Sequence, residues 1–377
     1  MKSGTAAKAT ITATSEIAKI LDLFCAGGKP FISIGQQDIQ SGKIHLFQRP
    51  EIFIHYAFWR IWVNFTGRIN YETLSYIKLL RPKDWAKNLF LFIPLFFAGQ
   101  LFDWKVYPDL FLGFLAFCFI ASSIYIINDY RDIEDDRRHP VKSKRPLASG
   151  AVSKNAAIVI CIVLLLAGFG ISFFLGYKFL LVIAIYFLLN LGYSFGLKNI
   201  PILDIVIVAA GFVLRVKGGA VIAELPVSEW LNIMIFLLAL FMAIGKRRDD
   251  VLLKLSSGTD MRKAIKGYNL EFLNVILALV CAVIIVAYFM YTMSPEVKER
   301  IANMGDKTGI GNAYRLYYTC LFVLAGIMRY LQIIFVQAAS GSPTKILYKD
   351  RFIQATIILW IASFYLIIYM KDVTIFK

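Results

Sequence analysis

Paired cysteines are missing from this sequence. Its five (Cys25, Cys118, Cys161, Cys281 and Cys320) share no disulfide or metal-ligand spacing, and four lie inside apolar runs. That excludes a disulfide framework and a zinc site and leaves them as small core hydrophobes. Charge is scarce as well. Charged residues make up 18% of the 377 positions, apolar residues 58%, and mean hydropathy is +0.64. A soluble globule would hold roughly a quarter charged and half apolar residues. The apolar residues come in long blocks parted by short polar segments, which excludes a single water-solvated core and makes lipid the solvent. No apolar core with a small-residue cleavage site opens the chain, so no secretory signal is expected. Acids are the minority charge, 25 against 41 Lys and Arg, for a net +16. The basic residues lie between apolar blocks, as they do where loops face anionic lipid or bind phosphorylated substrates. No nucleic-acid partner is therefore expected.

What is present is about nine blocks near the ~20-residue length of a membrane-crossing helix. They run over Leu80–Gln100, Leu110–Asn128, Ala156–Gly176, Lys178–Leu197, Ile202–Ile222, Glu229–Gly245, Phe272–Met293, Arg315–Val336 and Phe352–Met370. The expected fold class is all-α, a polytopic membrane helical bundle. Lys and Arg crowd the loops after the second and sixth blocks, from Arg131 to Lys154 and from Lys246 to Lys266, whereas the alternate loops are poor in them. The positive-inside bias puts both rich loops in the cytoplasm, which implies an inner-membrane protein with its N-terminus inside. Residues 1–73 read as an extension to a transmembrane domain over 74–377. Met1–Ser15 is Ala/Thr/Lys-rich and expected to be mobile. The aromatic stretch Ile52–Phe65 suits a helix lying in the membrane interface, or an extension with no part in catalysis.

The chemistry gathers at the end of the second block, in Asn128-Asp129-Tyr130-Arg131-Asp132-Ile133-Glu134-Asp135-Asp136. At 100° per residue, positions 128, 132 and 136 share a helix face, and Asp129 joins its edge. Stacked like charges repel, and acids at a helix C-terminus oppose the macrodipole. A divalent cation removes both conflicts, and hard oxygen donors select Mg2+ shared with substrate phosphates. The expected metal ligands are therefore Asn128, Asp129, Asp132 and Asp136, the three aspartates being the catalytic candidates.

A basic segment follows, Arg137 to Arg145, stiffened by Pro140 and Pro146. Lys142 and Arg145 can reach over the metal towards phosphate oxygens, Lys as a point charge and Arg as a fork. His139 reads as a structural hydrogen-bonder. Threading the spans brings further polar groups to the same membrane face: Arg81 to Asn88, Tyr193 with Lys198 and Asp204, Lys246 to Asp249, and Tyr268 with Asn269. Asp204 is the most telling, because a carboxylate just inside an apolar run is costly and usually functional. Arg215 is equally costly; its depth, too great for a substrate arriving from the cytosol, points to a buried structural partner.

At these residues the chain resembles the UbiA superfamily of membrane transferases. The N-D-x-x-D-x-x-x-D pattern is met by Asn128, Asp129, Asp132 and Asp136. Other blocks are similar to the branch that uses decaprenyl phosphate and phosphoribosyl diphosphate: Leu80 to Asn88, Asp136 to Gly150, Tyr193 to Asp204, Gly211 to Gly219, Pro226 to Trp230, and Gly245 to Arg248. The resemblance covers roughly Leu74 to the C-terminus. The second acidic motif of ordinary prenyltransferases is reduced to Asp204. The branch implies a Mg2+-dependent phosphoribosyltransferase moving 5-phosphoribosyl from phosphoribosyl diphosphate to a polyprenyl phosphate within the lipid bilayer. Lys142, Arg145, Tyr193, Lys198 and Asp204 are then expected at the donor phosphates, and Lys87, Lys246 and Arg247 at the acceptor phosphate. Two alternatives stay open. A prenyltransferase of the same superfamily would move a prenyl group to an aromatic acceptor; a transporter would show inverted repeats and midplane charges. Lipid chain length and oligomeric state are not fixed by the sequence.

Overall fold

The computed structural model describes residues 71–138, 142–257, 267–304, 314–336, 346 and 349–369, all within the unit Tyr71–Lys377. Residues 1–70, including Met1–Ser15 and the aromatic stretch Ile52–Phe65, lie outside the described residues, as does His139. Among the described residues there are only helices, turns and bends. Helix α1 is Tyr71–Leu80, followed by the short pieces α2, Pro82–Trp85, and α3, Ile93–Phe97, joined by a 3-10 stretch over Ala86–Phe92. Long helices come next: α4 Tyr107–Arg131, a short α5 Ile133–Arg138, α6 Lys154–Phe174, α7 Tyr177–Phe195, α8 Leu203–Ile222, α9 Glu229–Ser257 and α10 Leu270–Met293. The chain continues with α11 Pro295–Met304, a 3-10 turn Tyr314–Thr319 running into α12 Cys320–Phe335, and α13 Arg351–Tyr369.

Seven of these segments are long and apolar enough to cross a membrane: α4, α6, α7, α8, α9, α10 and the run Tyr314–Phe335. Among the described residues the expected nine are not all met, and the two ends account for the difference. The block Leu80–Gln100 is not one helix. Pro82 and Pro94 each sit in a first helical turn, where a missing N–H costs nothing, and Arg81 before Pro82 is left-handed at φ 52°, ψ 57°. Two helix starts so close together leave only 3-10 geometry between them. The last block is the helix α13, whose apolar part Arg351–Ile367 is shorter than the others. A third difference lies at α9, which runs past Gly245 through Lys246, Arg247 and Arg248. No proline or capping residue stops it there, so the basic run stays helical.

The broken first segment lies against α8, and glycine allows it. A Cβ on Gly219 would stand 1.8 Å from the Leu91 carbonyl oxygen, a backbone atom that cannot swing aside. Helix α4 packs on α6 and on the 3-10 stretch, and α8 touches α7, α9 and α4. One cluster of buried side chains (Leu91, Leu110, Phe117, Ile120, Phe179 and Ile183 among them) joins the first segment, α4 and α7. A second, with Phe241, Leu273, Leu277 and Ile333, joins α9, α10 and α12. The outer faces of α6, α7 and α10 bear exposed Leu166, Phe174, Leu188 and Val275, as surfaces solvated by hydrocarbon do.

Candidate active site

Helix α4 ends where the acidic motif begins, and its C-cap is Asp132, at φ −93° and ψ 10°. The chain nevertheless keeps helical register across this break. Asp132 N–H donates to the Asn128 carbonyl at 3.0 Å and Asp136 N–H to the Asp132 carbonyl at 2.8 Å. Register puts side chains four and seven apart on one face. The four motif residues divide accordingly into two pairs, each closed by a cation from another part of the chain.

The first pair is Asp129 with Asp136, both buried. Arg145 Nη1 donates to Asp129 Oδ1 at 3.0 Å and to Asp136 Oδ2 at 2.7 Å. Arg81 Nη2 meets both Asp129 oxygens at 2.6 and 2.7 Å. The second pair is Asn128 with Asp132. Lys198 Nζ donates to Asn128 Oδ1 at 3.0 Å and to Asp132 Oδ2 at 2.7 Å. Thus three carboxylates and one amide from a single chain segment meet three cations from the start of the first segment, the loop after α5 and the turn after α7.

Each cation is placed by local structure. Ser122 on α4 donates to the Leu80 carbonyl at 2.7 Å and accepts from Trp85 Nε1 at 3.1 Å, which pins the left-handed turn carrying Arg81. The 3-10 turn Lys142–Lys144 leads into Arg145, whose N–H donates to the Lys142 carbonyl at 2.9 Å. Arg137 Nε donates to the Ala148 carbonyl at 3.2 Å, holding this loop against α5. Gly196, at φ 142°, ends α7 and starts the 3-10 turn bearing Lys198. Arg131 donates to the Ser194 carbonyl and stacks on Phe195 at 4.3 Å, tying the ends of α4 and α7 together.

Asp204 and Arg247, expected from sequence at the donor and acceptor phosphates respectively, are joined to each other. Arg247 Nε donates to Asp204 Oδ2 at 2.5 Å, with both side chains almost wholly buried. Arg247 Nη1 also reaches Asp250 at 2.9 Å. Tyr268 donates its hydroxyl hydrogen to Asp204 Oδ1 at 2.6 Å and accepts the Ile202 N–H at 2.6 Å. Burial and the Asp204 carboxylate hold the Tyr268 hydroxyl protonated well above the usual tyrosine range. Ile202 lies at φ 71°, ψ −51°, and Leu203 N–H donates back to the Pro201 carbonyl at 2.8 Å. This is a strained γ-turn for a β-branched residue, and Tyr268 holds it. The Asp204 carboxylate thus braces the turn that opens α8. Tyr193 lies within electrostatic reach of Arg247.

Of the remaining expected residues, Lys142 is half-buried, Lys246 is exposed, and Lys87 is exposed and paired with Asp84 at 2.6 Å. Sequence reasoning missed that Arg81 clamps Asp129. The signal was its place immediately before Pro82 and a tryptophan, at the mouth of the first block. It also missed Tyr268 as the brace of the turn before α8.

The donor set suits a hard cation. Among the described residues no three acidic, histidine or cysteine side chains close on a common point as in a protein-only metal cage. Mg2+ seldom uses such a cage; it takes one or two carboxylates and fills its shell with water and substrate phosphates. The two oxygen pairs, each already centred on a cationic nitrogen, match that mode.

Residues 89–253 match the model of the UbiA prenyltransferase family. The decaprenyl-phosphate phosphoribosyltransferase of Mycolicibacterium smegmatis is 33% identical over 299 residues, 78% of this chain and 92% of that protein. The chain belongs to the UbiA prenyltransferase family. The enzyme of the same name from Corynebacterium glutamicum is 31% identical over 78% of this chain and 86% of its own length. In fold, this family member is similar to a UbiA homolog from Archaeoglobus fulgidus bound to DMAPP and Mg2+. The TM-score is 0.56 at 21% identity, over 78% of this chain and 99% of that one. The chain is thus a multi-pass membrane protein built on the UbiA fold.

Proposed function

We propose that this protein transfers a 5-phosphoribosyl group from phosphoribosyl diphosphate to the phosphate of a polyprenyl phosphate and releases diphosphate. The observation that carries the reading is the likeness to phosphoribosyltransferases over nearly their whole length, at 33% identity across 92% of one of them. The site supports it chemically. Asn128, Asp129, Asp132 and Asp136 would hold Mg2+. Bound there, Mg2+ would supply Lewis-acid neutralisation of the diphosphate.

The chain's own residues do the rest. Arg145 and Lys198, each already bridging two oxygens of the acidic motif, lie where a diphosphate bound to that motif would meet them. They offset the negative charge that grows as the ribose C1–O bond breaks. Lys142, at the start of the loop turn, and Tyr193, at the end of α7, flank the same phosphates. Arg81 holds Asp129 in position with a two-oxygen clamp, so that the carboxylate faces the ligand in one orientation. The Asp204–Arg247–Tyr268 cluster braces the turn before α8, which directly follows the turn bearing Lys198. The acceptor phosphate is already anionic and needs placement rather than deprotonation; Lys87 and Lys246 are the cations assigned to it. The ribose C1–O bond to diphosphate breaks, a new C1–O bond to the lipid phosphate forms, and the electron pair leaves with diphosphate. The Lys- and Arg-rich stretches 131–154 and 246–266 support a site facing the cytoplasm from the inner membrane.

Substrate choice tests the reading. Purified protein with Mg2+ is offered phosphoribosyl diphosphate with polyprenyl phosphate in one reaction, and a prenyl diphosphate with an aromatic acid in another. Only the first pair should turn over. Prenylated aromatic product, with no phosphoribosyl lipid, would replace this reading with ordinary prenyl transfer.

A further inference from the structure

Arg215 lies 12 residues into α8 from Leu203, about 18 Å along the helix at 1.5 Å per residue. It is buried within the bundle. Its partners among the described residues are all neutral. Nε donates to Asn88 Oδ1 at 2.7 Å, Nη1 to the Gly211 carbonyl at 2.8 Å, and Nη2 to the Tyr186 hydroxyl at 2.7 Å. The guanidinium also stacks over the rings of Tyr186 at 4.7 Å and Phe212 at 5.5 Å. A guanidinium carries five N–H groups. Three are used here, which leaves one on each terminal nitrogen, and a guanidinium can offer two such groups to two oxygens of one phosphate.

A cation with only neutral partners inside an apolar bundle is costly and marks a functional position. Its depth argues against a substrate that arrives from water. It does not argue against a headgroup whose tail lies in the bilayer. A line of polar groups also joins Arg215 to the acidic motif. Asn88, its partner, directly follows Lys87, and Lys87 lies within electrostatic reach of Arg215, Tyr125 and Tyr186. Tyr125 is one turn before Asp129 on α4 and carries the Arg81 guanidinium over its ring at 4.7 Å. Arg81 in turn clamps Asp129. The broken first segment makes this line possible, because its 3-10 stretch carries Lys87 and Asn88 against α4 and α8.

We propose that Arg215 and Lys87 together bind the phosphate of the acceptor lipid, Arg215 as the buried fork and Lys87 as the outer point charge. The inference rests on the reaction proposed above, in which the acceptor is a lipid phosphate. It moves the main acceptor contact from the cytoplasmic end of α9 into the interior between α8 and the first segment.

The test uses full-length protein in detergent micelles. Arg215→Gln should raise KM for polyprenyl phosphate roughly ten- to a hundredfold, the worth of a charge-assisted hydrogen bond. KM for phosphoribosyl diphosphate should be unchanged, and Arg215→Lys should recover part of the loss. A second measurement needs no substitution and no turnover. Amine acylation of Lys87, read by peptide mass spectrometry on the native chain, should be suppressed by polyprenyl phosphate and not by the polyprenol of equal length. A folded Arg215→Gln variant with normal KM for the lipid, or equal labelling of Lys87 with phosphate and alcohol, overturns the proposal. Should Arg215→Gln not fold, the labelling decides alone. Protection of Lys87 in a protein that transfers no phosphoribosyl group would keep this site and remove the reaction.

Discussion

Replacing Asp204 by asparagine removes one half of an ion pair whose two side chains are 0% and 4% exposed. The Arg247 charge then keeps only Asp250, at 2.9 Å and partly exposed. Breaking a buried pair by taking one partner costs about 3–5 kcal/mol, most of it the penalty of the stranded charge. Arg247→Met should cost a similar amount, because Asp204 then keeps only the Tyr268 hydroxyl, at 2.6 Å. Removing both charges in Asp204→Asn/Arg247→Met strands neither, so the double variant should be more stable than the sum of the singles implies, by roughly 2 kcal/mol or more. The assay is thermal unfolding in detergent, followed by tryptophan fluorescence. Each single variant should melt roughly 6–20 °C below the unsubstituted protein. Single variants that melt with the unsubstituted protein, while Arg247→Met raises KM for the lipid substrate, would refute the bracing role. They would return Arg247 to the acceptor phosphate.

Other substitutions separate catalysis from packing. Asp132→Asn should lower turnover at least ~100-fold with near-normal melting, since Asp132 is partly exposed and meets only Lys198; Asp129→Asn should lower both, because it also loosens the Arg81 clamp. Full activity in Asp132→Asn would remove the acidic motif from the chemistry. Gly219→Ala should destabilise strongly, its Cβ meeting the Leu91 carbonyl, whereas Gly170→Ala, with open space around it, should melt at or slightly above the unsubstituted temperature. Equal melting of the two would contradict the close approach of the first segment to α8. Single cysteines at Ser143 and Lys254 should react with a membrane-impermeant reagent from one side and a cysteine at Glu299 from the other; labelling of all three from one side would break the topology.

The long helices were legible because length and apolarity alone specify them, and α4, α6, α8 and α10 fall close to their expected bounds. The first block misled because hydropathy does not register backbone geometry. Pro82 and Pro94 mark two helix starts twelve residues apart, a constraint that hydropathy does not carry. The acidic motif was legible from its spacing, and the pairing of 128 with 132 and of 129 with 136 follows the same helical register. The cations that close those pairs come from Arg81, Arg145 and Lys198, up to 70 positions away in sequence. Only packing of α4 against α7 and the first segment brings them together. Asp204 reads from the sequence as a costly charge, and the structure buries it. Its partner could not be read, because Arg247, Arg248 and Lys246 are consecutive and the face each presents depends on how α9 is turned towards α8.

The measurement that bears most directly on the central claim follows both halves of one donor molecule. Phosphoribosyl diphosphate labelled differently in its ribose and in its diphosphate is incubated with the protein, Mg2+ and polyprenyl phosphate, and the lipid is then extracted. The account predicts ribose label in the lipid fraction and an equal amount of diphosphate label in the aqueous one, both abolished in Asp132→Asn. Diphosphate label carried into the lipid, or ribose label absent from it while a prenyl diphosphate is consumed, would contradict it.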